Sequence, residues 1–372
     1  MKERVTYLDH IKLLLTILVI AHHAAQAYTM GGDWSVKDTT IAAGLNNFLT
    51  VNMTFFMSAF FFISGYFVPG SKGRKSNKEY IVKKAKRLLC PVLGLLFFVV
   101  PVYSYFVYRM TIMEPLSFVP YYFKIYWGEG QFSYDHGWFL VSLFLYSLFY
   151  LCVAKKGKQV KGALTSGKII GFTVGMAILT GMIRLVYPID TWVNVLGIIG
   201  IEPAHLPQYL LWFLAGVWAY ENGWLEQITE KMGKYCVGIG SVTVLIIYTR
   251  NCLPAAMTKI IYAFFPLYES IMSVTIIISL LYLFRKYGNE EKLFLSLATK
   301  SAFGMYLVHN LYVILFQIVM TRQVWNGYVK WLAVVALASV CSFVTAVLIR
   351  KGAEKLRNED KNSKNQNDST RE

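Results

Sequence analysis

Charge is scarce in this chain. Asp, Glu, Lys and Arg make up 16% of its 372 residues, against roughly 25% in an ordinary soluble domain, while apolar residues reach 56%. That balance excludes intrinsic disorder, which needs the reverse. The five cysteines (Cys90, Cys152, Cys236, Cys252, Cys341) are odd in number and scattered, with no CxxC pair, so neither a disulfide framework nor metal-ligand spacing is present. Acidic residues are the rarer sign, 21 against 37 basic, for a net charge of +16. In a soluble protein such a surplus would point to nucleic acid. Here the apolar residues come in long blocks, such as Ile11 to Ala21 and Ile271 to Phe284, separated by short charged punctuation. That is the pattern of a polytopic membrane protein, and it gives the basic surplus another meaning.

A membrane-crossing helix needs about 20 apolar residues. Ten segments qualify: 7–28, 48–68, 88–108, 137–154, 168–187, 206–221, 235–250, 260–284, 301–320 and 328–349, with 206–221 the shortest. The expected fold is an all-α bundle of about ten transmembrane helices. With the N-terminus in the cytoplasm, 28 of the 37 Lys and Arg fall on inside segments and seven on outside loops. The positive-inside rule predicts such a bias, so both termini are expected to be cytoplasmic in a multi-pass protein of the cytoplasmic membrane. Ala25-Gln26-Ala27 resembles a signal-peptidase site, but the preceding run holds Lys12 and His22-His23, which argues for a retained first span. Residues 1–350 then form the membrane domain, and 351–372 a charged tail expected to be disordered. The longest outer loop, 109–136, is rich in aromatics (Phe118, Tyr121, Tyr122, Phe123, Tyr126, Trp127), which suit interfacial anchoring or a sugar-binding surface.

Ionisable residues inside spans are costly and mark candidate function. At 100° per residue, Asp9, Lys12, Thr16, His23 and Gln26 of the first span share an arc of about 100°, and His22 lies off it. The rest of that helix is apolar. Interhelical hydrogen bonding accounts for Asp9 and Thr16. Lys12 and His23 lie about 16 Å apart along the axis, as if at two ends of one tunnel. Histidine is the side chain best suited to take and return a proton near neutral pH. Glu269 lies at a depth comparable to His23 and either balances an imidazolium or bonds another helix. His309 is a buried polar residue open to either role. Arg184 reads as snorkelling to the outer surface, and His136 and His205 read as boundary histidines. The cluster Lys83-Lys84-Ala85-Lys86-Arg87 is either a topology signal or a phosphate clamp at the tunnel's inner mouth.

Five blocks along the chain bear a likeness to one family. Tyr7-Leu8-Asp9-His10-Ile11-Lys12, followed after ten residues by His23, resembles the first-helix LD-x-x-R…His pattern of the acyltransferase-3 family of integral-membrane O-acyltransferases. Phe60-Phe61-Phe62-Ile63-Ser64-Gly65-Tyr66 is similar to its FF-x-x-SG-(F/Y) segment, and Lys84-Ala85-Lys86-Arg87 before Pro91 to its RxxR-then-Pro element. His136-Gly137-Trp138-Phe139-Leu140 resembles its WFL block, and Gly304-Met305-Tyr306-Leu307-Val308-His309 its GxYLxH block. Lys12 and Lys84 stand where the family usually has Arg; lysine keeps the charge but not the bidentate fork.

The resemblance implies a membrane O-acyltransferase with no bound cofactor or metal. Its co-substrate would be cytoplasmic acyl-CoA, with acetyl the expected acyl group and succinyl a competitor. Lys12, Ser64, Lys84 and Arg87 would bind the donor. His23 would act as general base, with Glu269 beside it, and Asp9, Thr16 and His309 would line the tunnel. An acyl-His23 intermediate stays open. The implied acceptor is a hydroxyl of a cell-envelope glycan or lipid-linked sugar. A polysaccharide or small-molecule exporter is the competing class, since a polar-lined bundle suits transport too. A membrane sensor or scaffold leaves the first-span seam unexplained.

Overall fold

Long apolar runs interrupted by short polar punctuation give helices joined by short turns. A computed structural model of the chain describes residues 5–154, 162–195, 199–290 and 292–369. The helices are α1 (Thr6–Gln26), α2 (Gly44–Tyr66), α3 (Val68–Lys72), α4 (Asn77–Gly94), α5 (Val100–Thr111), α6 (Phe118–Pro120), α7 (Trp138–Ala154) and α8 (Ser166–Arg184). After a short antiparallel hairpin, β1 (Val193–Val195) with β2 (Ile199–Ile201), come α9 (Leu206–Asn222), α10 (Trp224–Gln227), α11 (Glu230–Thr249) and α12 (Ala255–Ala263). The chain then finishes through α13 (Phe265–Tyr287), α14 (Leu293–Met320) and α15 (Gly327–Ser369).

Side-chain caps start several of these helices. Ser76 accepts from the Glu79 amide at 3.1 Å, Thr165 from Lys168 at 3.3 Å and Thr229 from Met232 at 3.2 Å. Gly223, left-handed at φ 62°, ends α9. Pro91 removes one amide from α4, and the helix continues through a π-helical turn, Leu95–Val99, into α5.

Nine helical segments among the described residues are long and apolar enough to cross a membrane, the longest being Asn77–Thr111. The tenth expected span, 206–221, is the 17-residue α9. It runs against α2 with almost no gap. A Cβ on Gly65 would fall 2.0 Å from the Phe213 carbonyl oxygen, and one on Gly216 would fall 2.0 Å from that of Phe62. Two facing glycines let the backbones touch, as small residues do in membrane bundles. An aromatic core packs beside that seam, with Phe61 stacked on Tyr209 at 4.9 Å and edge-on to Phe139 at 5.0 Å.

Within the 109–136 loop, Tyr121–Gly128 is a π-helical turn whose Tyr126 is buried and donates to the Leu96 carbonyl at 2.7 Å. Its aromatics pack on one another and on α5 (Tyr105–Tyr121, 5.3 Å), because ring faces buried together need no extended strand or long helix. Helix α15 runs on into the charged tail as far as Ser369. Spacing of Arg350 with Glu354 and of Lys355 with Glu359 supplies i,i+4 pairs along it.

The two ends of the bundle are set by contacts between turns. At one end His10 bonds the Gly288 carbonyl at 2.6 Å, the Gln227 side chain accepts from the Leu164 amide, and Arg285 donates to the carbonyls of Leu225 and Ile228. At the other, Lys330 of α15 meets both carboxylate oxygens of Asp38 at 2.9 and 2.8 Å, both side chains being 1% exposed.

Candidate active site

The polar seam of α1 faces a cavity of about 680 Å³ between α1, α2, α4, α7, α9 and α14. Asp9, Lys12 and Thr16 line it from α1, Ser64 from α2, and Lys84 and Arg87 from α4. All four residues expected at the acyl donor thus line one cavity. Lys300 joins them from α14, a cation that the sequence reading did not single out. Lys12 pairs with Asp9 at 2.6 Å, lies over the Phe67 ring at 5.1 Å and keeps its side chain 36% exposed. Four cations against one carboxylate make this mouth attractive to an anion such as a phosphate.

Phe139, Leu140 and Tyr306 also line the cavity, and His23 does not. The Tyr306 carbonyl meets His309 Nδ1 at 2.5 Å, so that nitrogen carries the hydrogen and Nε2 keeps its lone pair. His309 Nε2 and His23 Nδ1 are both buried without a hydrogen-bond partner. Their ring centroids are 5.2 Å apart, and His136 packs against His309 at 4.7 Å. Trp34 stacks on the other face of the group, 5.1 Å from His23. Its indole donates to the Gln317 side chain, whose amide donates to the carbonyls of His23 and Ala24 at 3.0 and 3.1 Å. The end of α1 is therefore clamped to α14, and the His23 ring is held by packing on both sides.

The carboxylate of this group is Asp135. Its Oδ2 accepts from Tyr103 at 2.5 Å and from Asn310 at 2.5 Å, and lies 3.3 Å from His136 Nδ1. His136 Nε2 faces the Leu307 carbonyl at 3.2 Å, and the Tyr306 hydroxyl donates to the His136 carbonyl at 2.5 Å. Asp135 adopts φ 44°, a left-handed conformation that Asp tolerates better than most residues. Such strain is retained where surrounding contacts over-determine it. Asp135, Asn310 and Tyr103 were not singled out from the sequence, and His136 was read as a boundary residue. The signal was present in the block His136 to Leu140, which places a histidine and its preceding Asp at the start of α7.

Glu269 is elsewhere. Its Oε2 lies 2.6 Å from Arg184 Nη1 and its Oε1 lies 3.8 Å from His205 Nδ1. The N-terminal part of α13 turns this side chain toward α8 and the start of α9, so the carboxylate expected beside His23 pairs with Arg184 and lies near His205 instead. Arg184 does not snorkel: its side chain is 10% exposed, and it also donates to the Ala204 carbonyl at 3.3 Å. His22, off the α1 seam, stacks on Phe56 at 5.1 Å.

No curated protein and no solved structure shows significant similarity to the chain. The acyltransferase-domain family model matches residues 5–351, nearly its whole length. An apolar helical bundle, a cavity lined by several cations and a buried histidine group thus belong to a member of the acyltransferase-3 family, a multi-pass membrane acyltransferase.

Proposed function

We propose that this enzyme moves an acyl group, acetyl in the first instance, from cytoplasmic acyl-CoA to a hydroxyl of a cell-envelope glycan or lipid-linked sugar. It does so in the cytoplasmic membrane, with both termini and the basic cavity mouth on the cytoplasmic side. Lys12, Lys84 and Arg87 hold the donor's phosphates, Ser64 faces the arm, and the thioester advances along Asp9 and Thr16 toward Tyr306. His23 Nδ1, unpaired and buried, takes the acceptor's hydroxyl proton. The oxygen attacks the thioester carbonyl, the C–S bond breaks, and the thiolate leaves as the free thiol of CoA on taking the proton that His23 holds, which restores the base. Asp135 places a negative charge beside the group of His23, His309 and His136, the part a carboxylate plays behind a catalytic histidine. Glu269, paired with Arg184, is assigned to holding α8 and α13 together.

One observation carries this reading: the four residues assigned to the donor line a single cavity, and the backbone carbonyl of Tyr306, another lining residue, is hydrogen-bonded to the His309 ring that packs against His23. Free-thiol release from acetyl-CoA by the purified chain in nanodiscs, with CoA binding measured separately, tests it. His23→Ala is expected to abolish turnover and retain CoA binding. A folded wild-type chain that neither binds CoA nor releases thiol would point to the exporter reading instead.

A further inference from the structure

A second, almost wholly apolar groove of about 420 Å³ lies on the opposite face of the α2–α9 pair. Along α2 and α9, Ser64 and Phe213 face the catalytic cavity, while Phe62, Trp212 and Ala215 face the groove. The backbone contact at Gly65 and Gly216 closes the wall between them, so the two spaces are separate. The groove's remaining walls are α8, α10 and the stretch of α13 from Val274 to Leu281.

The cleft exists because α8 presents no side chain at two lining positions. A Cβ on Gly171 or on Gly175 would meet nothing within 4 Å. The opposite wall is rigid: the Trp212 indole donates to the Ser273 hydroxyl at 2.9 Å, with Phe172 and Phe62 edge-on to it at 5.1 and 5.8 Å. At the closed end Arg285 ties down the carbonyls of Leu225 and Ile228, both lining residues.

Depth and charge identify the occupant. From Lys168 to Leu179 the lining of α8 covers about 16 Å of helix axis, close to half of a hydrocarbon core about 30 Å thick. The groove therefore spans one leaflet, the one at the end of the bundle where Lys84 and Arg87 lie. Among the described residues Lys168 is its only charged lining residue, at the end of the groove assigned to the headgroup level. Its ammonium uses one donor on the Ala163 carbonyl at 2.7 Å and lies over the Trp224 ring at 5.7 Å. An ammonium carries three donors, so others remain for a phosphate.

We infer that this groove is a binding site for one acyl chain of an anionic phospholipid, whose phosphate is held by Lys168. The lipid completes the packing of α8 against α9 and α13 and supports the back of the wall whose front carries Ser64. This site does not depend on the assignment of His23.

Native mass spectrometry of the full chain tests it, after extraction from nanodiscs of equal phosphatidylglycerol and phosphatidylcholine. The wild type is expected to retain one phosphatidylglycerol in preference to phosphatidylcholine. Gly175→Leu, which fills the groove, is expected to lose that lipid, and Gly238→Leu, at an exposed glycine of α11 with no neighbour within 4 Å, to keep it. Lys168→Gln leaves the apolar walls intact, so a lipid should still be retained, but without preference for the anionic headgroup. Retention of the same lipid by Gly175→Leu, its equal loss in Gly238→Leu, or an unchanged preference in Lys168→Gln would overturn the proposal. So would a change in Gly175→Leu from a two-chain to a one-chain mass, which would make the occupant a second copy of the protein. Should Gly175→Leu fail to fold, the headgroup preference of Lys168→Gln decides.

Discussion

Replacing Asp38 by alanine would leave the Lys330 ammonium, 1% exposed and bonded to both oxygens of that carboxylate, without a counter-charge. Breaking a buried ion pair from one side costs about 3–5 kcal/mol, because the remaining charge stays desolvated. At about 2 °C per kcal/mol, the low end for a chain of this size, the apparent melting temperature in nanodiscs should fall by about 6–10 °C. Lys330→Met should cost less, since Asp38 would still accept from the amide and hydroxyl of Thr40 at 2.8 and 2.6 Å. The double variant should recover much of the loss, because it leaves no orphan charge. The Asp38 carboxyl also makes stability pH-dependent. Burial pushes its pKa up, but the hydrogen bonds from Lys330 and Thr40 outweigh that and hold it below the usual carboxylate value. Its contribution is therefore complete above the unfolded value of about 3.9 and is lost as pH falls through the lower folded value. Wild type should lose this increment on acidification, and Asp38→Ala should not. Because Asp38 pins the loop that carries Trp34, turnover should fall along with stability. A shift under about 2 °C for Asp38→Ala, or a Lys330→Met variant equally damaged, would refute the argument.

Gly65→Ala puts a methyl 2.0 Å from a backbone oxygen that cannot move aside, so thermal unfolding should show a loss of about 1–3 kcal/mol or more. Gly238→Ala, with open space around it, should instead be stabilising by up to about 1 kcal/mol through helix propensity. Arg87→Ala should raise the KM for acyl-CoA about 10- to 100-fold with kcat little changed, the value of one charge-assisted hydrogen bond, as read from initial rates of thiol release. Asp135→Asn keeps the side chain's size but removes the charge beside the three histidines. Single-turnover thiol release should slow by about 10²- to 10⁴-fold while CoA binding stays at the wild-type level.

Much of the bundle was legible in the chain because a bilayer imposes a length and a hydropathy on anything that crosses it, and both are properties of consecutive residues. The helical repeat carried the reading one step further. It put Asp9, Lys12 and Thr16 on one face of α1, and that face lines the cavity. α9 was the weakest span to read because a 17-residue helix packed backbone-to-backbone through Gly65 and Gly216 owes its place to a neighbour.

Partnership between helices was not legible by these means. The 3.6-residue period says which residues of one helix share a side, but not which side of another helix they meet. Glu269 and His23 lie at similar depths, and depth was all the sequence offered; the rotation of α13 turned the carboxylate to Arg184. Asp135, Asn310 and Tyr103 come from a loop, α14 and α5, up to 207 positions apart, and meet around one carboxylate oxygen only because those elements pack there. The sequence by itself determined the apolar spans, the charge asymmetry and the polar face of the first helix, since each depends on residues a few positions apart. The tertiary structure alone decided which carboxylate joins the histidines, which residues of other helices share the cavity of the α1 seam and what separates it from the second groove, because each depends on the rotation of one packed helix against another.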